Sequence, residues 1–214
     1  MDAKSNEPKP VQDPLVLHRK WLPLCISFLK HGYSPIIMST TPMMDILLAV
    51  EENLPRLLED EAGWNTVDVN YHPPRVERVW RYWEGNRINL HRIHPCERGE
   101  PYVHPHPWPS AMHVISGSYE MIRGFGQGIA DPIILGSTIL GADSYYSMEH
   151  RDEWHSVRPL EKAAYSLMVN GKPWDREMPI EKSASDLSPL TPEQKCGILQ
   201  FFREFYPGSR PPKL

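Results

Sequence analysis

Polar and apolar positions change their period near residue 64. Before it, Met44, Leu47, Leu48 and Val50 recur at the three- and four-residue spacing of a helix. Thr41 is placed to cap that helix and Pro42 to occupy its first turn. Asn53-Leu54-Pro55 predicts an interruption or restart, and Gly63 the end. An earlier helix is predicted over 21–31, with Trp21, Leu22, Cys25, Phe28 and Leu29 on one face and Gly32 as its stop. Both segments are expected to pack over one face or end of a sheet. Residues 1–14 are polar and proline-rich, the pattern of a disordered tail.

From Trp64 onward the texture is that of short strands. TVDVNY, RVERVWRYW and RINLHRI are rich in β-branched and aromatic residues, and Glu84-Gly85-Asn86 predicts a hairpin turn between the last two. SAMHVISG and SYEMIRGF meet at Gly117-Ser118, a second predicted hairpin. PIILGSTIL, YYSMEH, WHSVRP and AAYSLMVNG supply further strands. Many short strands with turns between them indicate an antiparallel sandwich or barrel. Thr191-Pro192-Glu193-Gln194 then starts a final helix with a capping box; Ile198, Phe201, Phe202 and Phe205 share one face, and Tyr206-Pro207-Gly208 ends it. The predicted division is a tail over 1–14, a helical segment over 15–63, a barrel over 64–180, and a linker with the last helix over 181–214.

Composition narrows the classes. A net charge of −4 with mixed signs argues against a nucleic-acid surface. No apolar run approaches the roughly 18 residues that span a bilayer, and the polar start is unlike a secretory signal. The 3 cysteines, Cys25, Cys96 and Cys196, are scattered and form no CxxC, which fits reduced thiols in the cytoplasm. With 23 prolines the chain carries about twice the usual ~5%, favouring turns over long helices. Walker, GxGxxG, GxSxG and HExxH motifs are absent, which lowers nucleotide hydrolysis and serine hydrolase chemistry.

The chemistry concentrates in GEPYVHPHPWPSAMHVISGSY, residues 99–119. His104 and His106 lie two apart, so an extended backbone sends both imidazoles to one face. Pro105 and Pro107 favour that backbone. His155, in EWHSV, offers a third imidazole from another strand. Three neutral imidazoles converging inside a sheet would hold a first-row transition metal. Alternation from Ser110 puts His113 on the opposite face, as a packing or interface residue. His150 reads as a loop histidine, or as a substitute ligand if its strand bulges. Arg92, taken to share an inward face with Leu90, is a candidate for gripping a substrate carboxylate or phosphate, against the alternative of a surface arginine. Trp108, Tyr119, Arg123, Tyr165 and Trp174 are candidates for a pocket wall, with core packing as the alternative.

HxH in one strand, Gly117 eleven residues after the second histidine, and a third histidine about fifty residues on resemble the cupins. The resemblance covers roughly residues 65–175. It implies a mainly β fold, the double-stranded β-helix or jelly roll, with a metal inside the barrel. LHRIH at 90–94, HPHPWP at 104–109 and YSLMVNGKPW at 165–174 are similar to an uncharacterised bacterial and phage cupin group. The three-histidine pattern is similar to that of cysteine-dioxygenase-like enzymes. Where cupins usually carry a glutamate ligand, this chain has Ser110, so a divalent ion would keep its charge and open positions. The resemblance implies His104, His106 and His155 as ligands, with Fe(II) favoured and Zn, Ni or Cu compatible. The leading expectation is a non-haem oxygenase or dioxygenase acting on a small polar molecule. In it Tyr119 or Tyr165 is a proton relay and Arg92, Trp108, Ser110 and Arg123 contact substrate. A metal-independent isomerase or epimerase and a non-catalytic ligand-binding cupin, possible as a homodimer, remain the alternatives.

Overall fold

A computed structural model describes residues 41–127, 132–175 and 187–208. The expected tail over 1–14 and helix over 21–31 lie outside the described residues. In chain order the elements are α1 (Pro42–Glu59), β1 (Asn65–Val69), β2 (Val76–Trp83), β3 (Asn86–Ile93), β4 (His104–Pro105), β5 (Ser110–Ser116), β6 (Ser118–Phe125), β7 (Ile133–Gly141), β8 (Ser144–Met148), β9 (Glu153–Pro159), β10 (Ala164–Asn170) and α2 (Pro192–Phe205). The strands form two antiparallel sheets, ordered β1-β2-β3-β10-β5-β8 and β4-β9-β6-β7. The fold is a double-sheet jelly roll, mainly β, with both described helices packed on the six-stranded sheet. Among the described residues no helix is long and apolar enough to cross a membrane.

α1 runs unbroken through Pro55, against the predicted interruption. Met43, Leu47, Val50, Leu54, Leu57 and Leu58 form one buried stripe along it. A proline inside a helix costs about 3 kcal/mol. Ending the helix there would remove Leu57 and Leu58 from a core where each contributes ~1.5–3 kcal/mol, together with the packing of Leu54. Burial wins. The helix stops at Glu59, ahead of Gly63. α2 begins at the predicted box: Thr191 Oγ1 accepts from the Gln194 backbone N–H at 3.3 Å, and the Thr191 N–H donates to Gln194 Oε1 at 2.8 Å.

The β2–β3 hairpin closes through two residues of positive φ, Glu84 at 48° and Gly85 at 77°. Trp83 therefore pairs with Asn86, and the register carries Arg78 opposite His91. The second predicted hairpin is corrected. Ser116 pairs with Tyr165 in one sheet, whereas Ser118 pairs with Gly141 in the other. Gly117, at φ 81°, carries the chain between sheets; a Cβ there would lie 3.0 Å from the Ala164 Cα. Close approach and positive φ together demand glycine.

Two apolar clusters result. One lies between the six-stranded sheet and the helices and includes Leu47, Leu54, Ile88, Leu90, Leu167 and Phe202. The other lies between the sheets and includes Met112, Tyr119, Met121, Tyr146 and Met168. Along β3 the aliphatic residues Ile88 and Leu90 face the helices, while His91 and Ile93 face the barrel interior. At the far edge β7 exposes Ile133, Ile134, Leu135 and Ile139.

Candidate metal centre

β4 is only two residues long and pairs with β9, so that His104 stands opposite His155. His106 follows immediately. The ring centroids lie 5.1 Å apart for His104 and His155, 4.4 Å for His106 and His155, and 5.6 Å for His104 and His106. One nitrogen from each ring falls within 4.8 Å of the others, near enough for small side-chain rotations to bring all three onto one ion.

Hydrogen bonds choose the free nitrogens. His104 Nδ1 lies 3.0 Å from the Tyr102 carbonyl, so it carries the proton and leaves Nε2 open. His106 Nδ1 lies 3.0 Å from Ser110 Oγ, again leaving Nε2. His155 Nδ1 is buried with no partner among the described residues. Burial keeps all three rings neutral. It pulls His104 down to about 4, against the raising effect of the Tyr102 carbonyl, with His72 and Arg78 adding to the depression. Burial likewise holds His106 well below the ordinary histidine value, helped by His104 and Arg78. His155 is held down by burial and then by His106, His104 and Arg123. Neutral, convergent imidazoles fit a divalent metal.

The histidines open onto a cavity of about 350 Å³ between the sheets. Trp108 and Tyr119 line it, as does Tyr146. The Tyr119 hydroxyl donates to that of Tyr146 at 3.1 Å. Burial raises both phenols, Tyr119 the further, so both remain protonated. Arg78 and His91 complete the wall opposite, joined by a hydrogen bond of 3.0 Å from Arg78 Nε to His91 Nε2.

Several expected pocket residues stand elsewhere. Arg92 shares its face with Leu90, but that face lies under the helices; its guanidinium pairs with Glu77. Tyr165 is on the same side, stacked on Phe201 of α2 with centroids 3.8 Å apart. Arg123 pairs with Glu153 and lies across the ladder from His155, outside the cavity wall. Ser110 is fully buried behind His106, which it holds. Trp174 is outside the cavity wall too, its backbone N–H donating to the Pro107 carbonyl. His113 packs beneath the helices, stacked on Tyr145 at 3.9 Å and bonded to Glu51 at 2.5 Å. His150 is exposed beside Phe125.

Arg78, His91 and Tyr146 were not singled out from the sequence. The two-residue turn at Glu84-Gly85 was the available signal, since it fixes Arg78 opposite His91. Tyr146 pairs with Met112, two residues on from Ser110, and so shares the inner face.

No protein-family description matches the sequence, and no curated relative does. Among solved structures, hydroxypropylphosphonic acid epoxidase from S. wedmorenis aligns at a TM-score of 0.41 and 10% identity, over 51% of this chain and 56% of that one. FeII HppE in complex with substrate gives 0.40 and 11%, over 51% and 57%. A protein of unknown function from Vibrio parahaemolyticus gives 0.32 and 14%, over 44% and 85%. The chain spans little more than half the length of the two epoxidase structures. Likeness at this level carries no argument about chemistry. The barrel rests on its own strand order. This is a two-sheet antiparallel jelly roll with a three-histidine group able to take a divalent metal.

Proposed function

We propose that this chain is a mononuclear metal-dependent cupin that acts as a non-haem oxygenase or dioxygenase on a small polar molecule, with Fe(II) as the favoured metal. The observation that supports this most is the convergence of His104, His106 and His155 on one cavity with no acidic residue among its described lining. Fe(II) held there would supply the electrons that dioxygen chemistry requires. The chain's own residues supply the rest. Tyr119 donates to Tyr146, which frees the Tyr146 proton to point at a bound molecule. Trp108, Met112 and Met168 give the cavity apolar surface that excludes water.

An isomerase using histidine as a general base is less well supported. A base is most effective with its pKa near the working pH, and His104 is held at about 4. Self-association fits β7, an uncharged edge strand whose exposed Ile133 and Leu135 invite pairing with a second copy. Leu135→Lys should then turn a dimer into a monomer in light scattering; a parent that is already monomeric sinks the idea.

The deciding experiment uses tag-free protein loaded anaerobically with Fe(II). Stoichiometric iron, and oxygen uptake stimulated by members of a small-molecule panel, are expected. Failure to retain any divalent metal would overturn the reading.

A further inference from the structure

Most arginines around this barrel are matched by a carboxylate. Arg75 meets Asp68, Arg92 meets Glu77, Arg123 meets Glu153 and Arg158 meets Glu120. Arg78 breaks the pattern. It is half-buried in the cavity wall, and among the described residues no carboxylate pairs with it. Its one side-chain hydrogen bond there is the donation from Nε to His91 Nε2, which leaves both terminal Nη groups without a described protein partner.

That bond fixes the guanidinium's pose. Because His91 Nε2 accepts, the ring's proton sits on Nδ1, which faces Ser166 Oγ at 3.3 Å. His91 is kept neutral chiefly by burial, then by Arg78, Arg87 and His106. A neutral acceptor orients a guanidinium without cancelling its charge. Arg87 adds a second cation beside the first: the two line an adjoining cavity together, and Arg87 Nε is buried with no described partner. Burial and Arg87 pull Arg78 to about 10, still charged at neutral pH.

A buried charge without a counter-ion is costly. Here it shares one small cavity with the three histidines, and none of the described lining residues is acidic. A metal would bring two more positive charges. A ligand carrying negative charge would supply the missing counter-ion.

We propose that Arg78 is the anion clamp of this cavity, and that the molecule bound there carries a carboxylate, phosphate or phosphonate group gripped by the free Nη edge of Arg78. Planar, forked N–H donors match such oxyanions. A cavity of about 350 Å³ limits the molecule to a small one. The inference deepens the metal-centre reading and rests on it for the ion beside the clamp.

The test is calorimetric titration of Zn(II)-loaded, tag-free protein with inorganic phosphate, with glycolate, and with neutral glycolamide. Phosphate and glycolate should bind, and glycolamide at least about tenfold more weakly. Arg78→Met should weaken both anions by at least about tenfold while zinc content by elemental analysis stays at the parent level. Arg78→Lys, which keeps the charge but not the fork, should fall between. Glycolamide binding as tightly as glycolate, anions binding Arg78→Met as they bind the parent, or neither anion binding the parent would each overturn the clamp. Should Arg78→Met fail to fold, the glycolate-to-glycolamide ratio on the parent and the Arg78→Lys affinity decide. Arg78-dependent anion binding by protein that retains no zinc would leave the clamp standing and remove the metal reading. Normal zinc with anion binding indifferent to Arg78 would do the reverse.

Discussion

His104 on β4 is the direct cross-strand partner of His155 on β9, so two of the three imidazoles are set by a single ladder pairing. The third, His106, depends on the same short strand, because Pro105 is the only residue between it and His104. The site is therefore one unit: whatever shifts β4 along β9 disperses all three nitrogens.

Each of His104→Ala, His106→Ala and His155→Ala should abolish stable metal retention, since two imidazoles without a carboxylate hold a divalent ion poorly. His113→Ala should keep its metal, because His113 lies beneath the helices on the opposite face of the sheet. Elemental analysis of the four variants after dialysis is the measurement. Metal lost from His113→Ala but kept by His155→Ala would show that the ligand set is wrong.

Much of this architecture is visible in the sequence, and the failures share a cause. The strand texture, the α2 capping box and the HxH face follow from local rules that tertiary contacts do not oppose. Arg92 and Tyr165 stand outside the cavity because the aliphatic face that locally resembles a barrel interior is the one the helices cover. Here the helices cover the outer face, so Leu90 and Leu167 belong to the helix-packed core, while polar His91, Ser166 and Asn170 line the cavity. Pro55 and Gly117 fail for the same kind of reason. Burial of Leu57 and Leu58 overrides a local breaker, and a turn glycine cannot say whether the next strand joins the same sheet.

Ser110 stands at the position where the resemblance lacks its glutamate ligand, and its hydroxyl lies 3.0 Å from His106 Nδ1. Its effect on metal is thus through the ring it orients. Ser110→Ala should bind metal to the same stoichiometry but about tenfold more weakly, read by competition with a chelator. Unchanged affinity would mean that packing alone fixes His106.

Glu51 on α1 ties the helices to the sheet. It meets His113 Nδ1 at 2.5 Å and the Tyr145 hydroxyl at 3.1 Å, and accepts from the Tyr206 hydroxyl just after α2. Glu51→Ala removes the carboxylate that His113, Tyr145 and Tyr206 share, at a cost of about 2–4 kcal/mol. Urea unfolding should show that loss with metal content intact. A change below about 0.5 kcal/mol, the usual range for surface substitutions, would make the cluster incidental.

The acid limb of stability should carry a mark of His91. Burial, Arg78, Arg87 and His106 depress its folded-state pKa well below the ordinary 6.5. A depressed histidine binds its proton more readily in the unfolded chain than in the folded one. Between the two pKa values the unfolded state holds the extra proton, so acid favours unfolding. Stability from this group is complete above about pH 6.5 and falls as the pH drops from there toward the folded-state value. His91→Gln retains a hydrogen-bonding side chain but has no proton to gain. Urea midpoints of metal-free parent and variant, followed from pH 7.5 to about pH 5, isolate the effect. The parent should lose stability more steeply than His91→Gln below about pH 6.5. Parallel curves would mean that His91 titrates alike in both states, and that the cavity does not keep it neutral against Arg78.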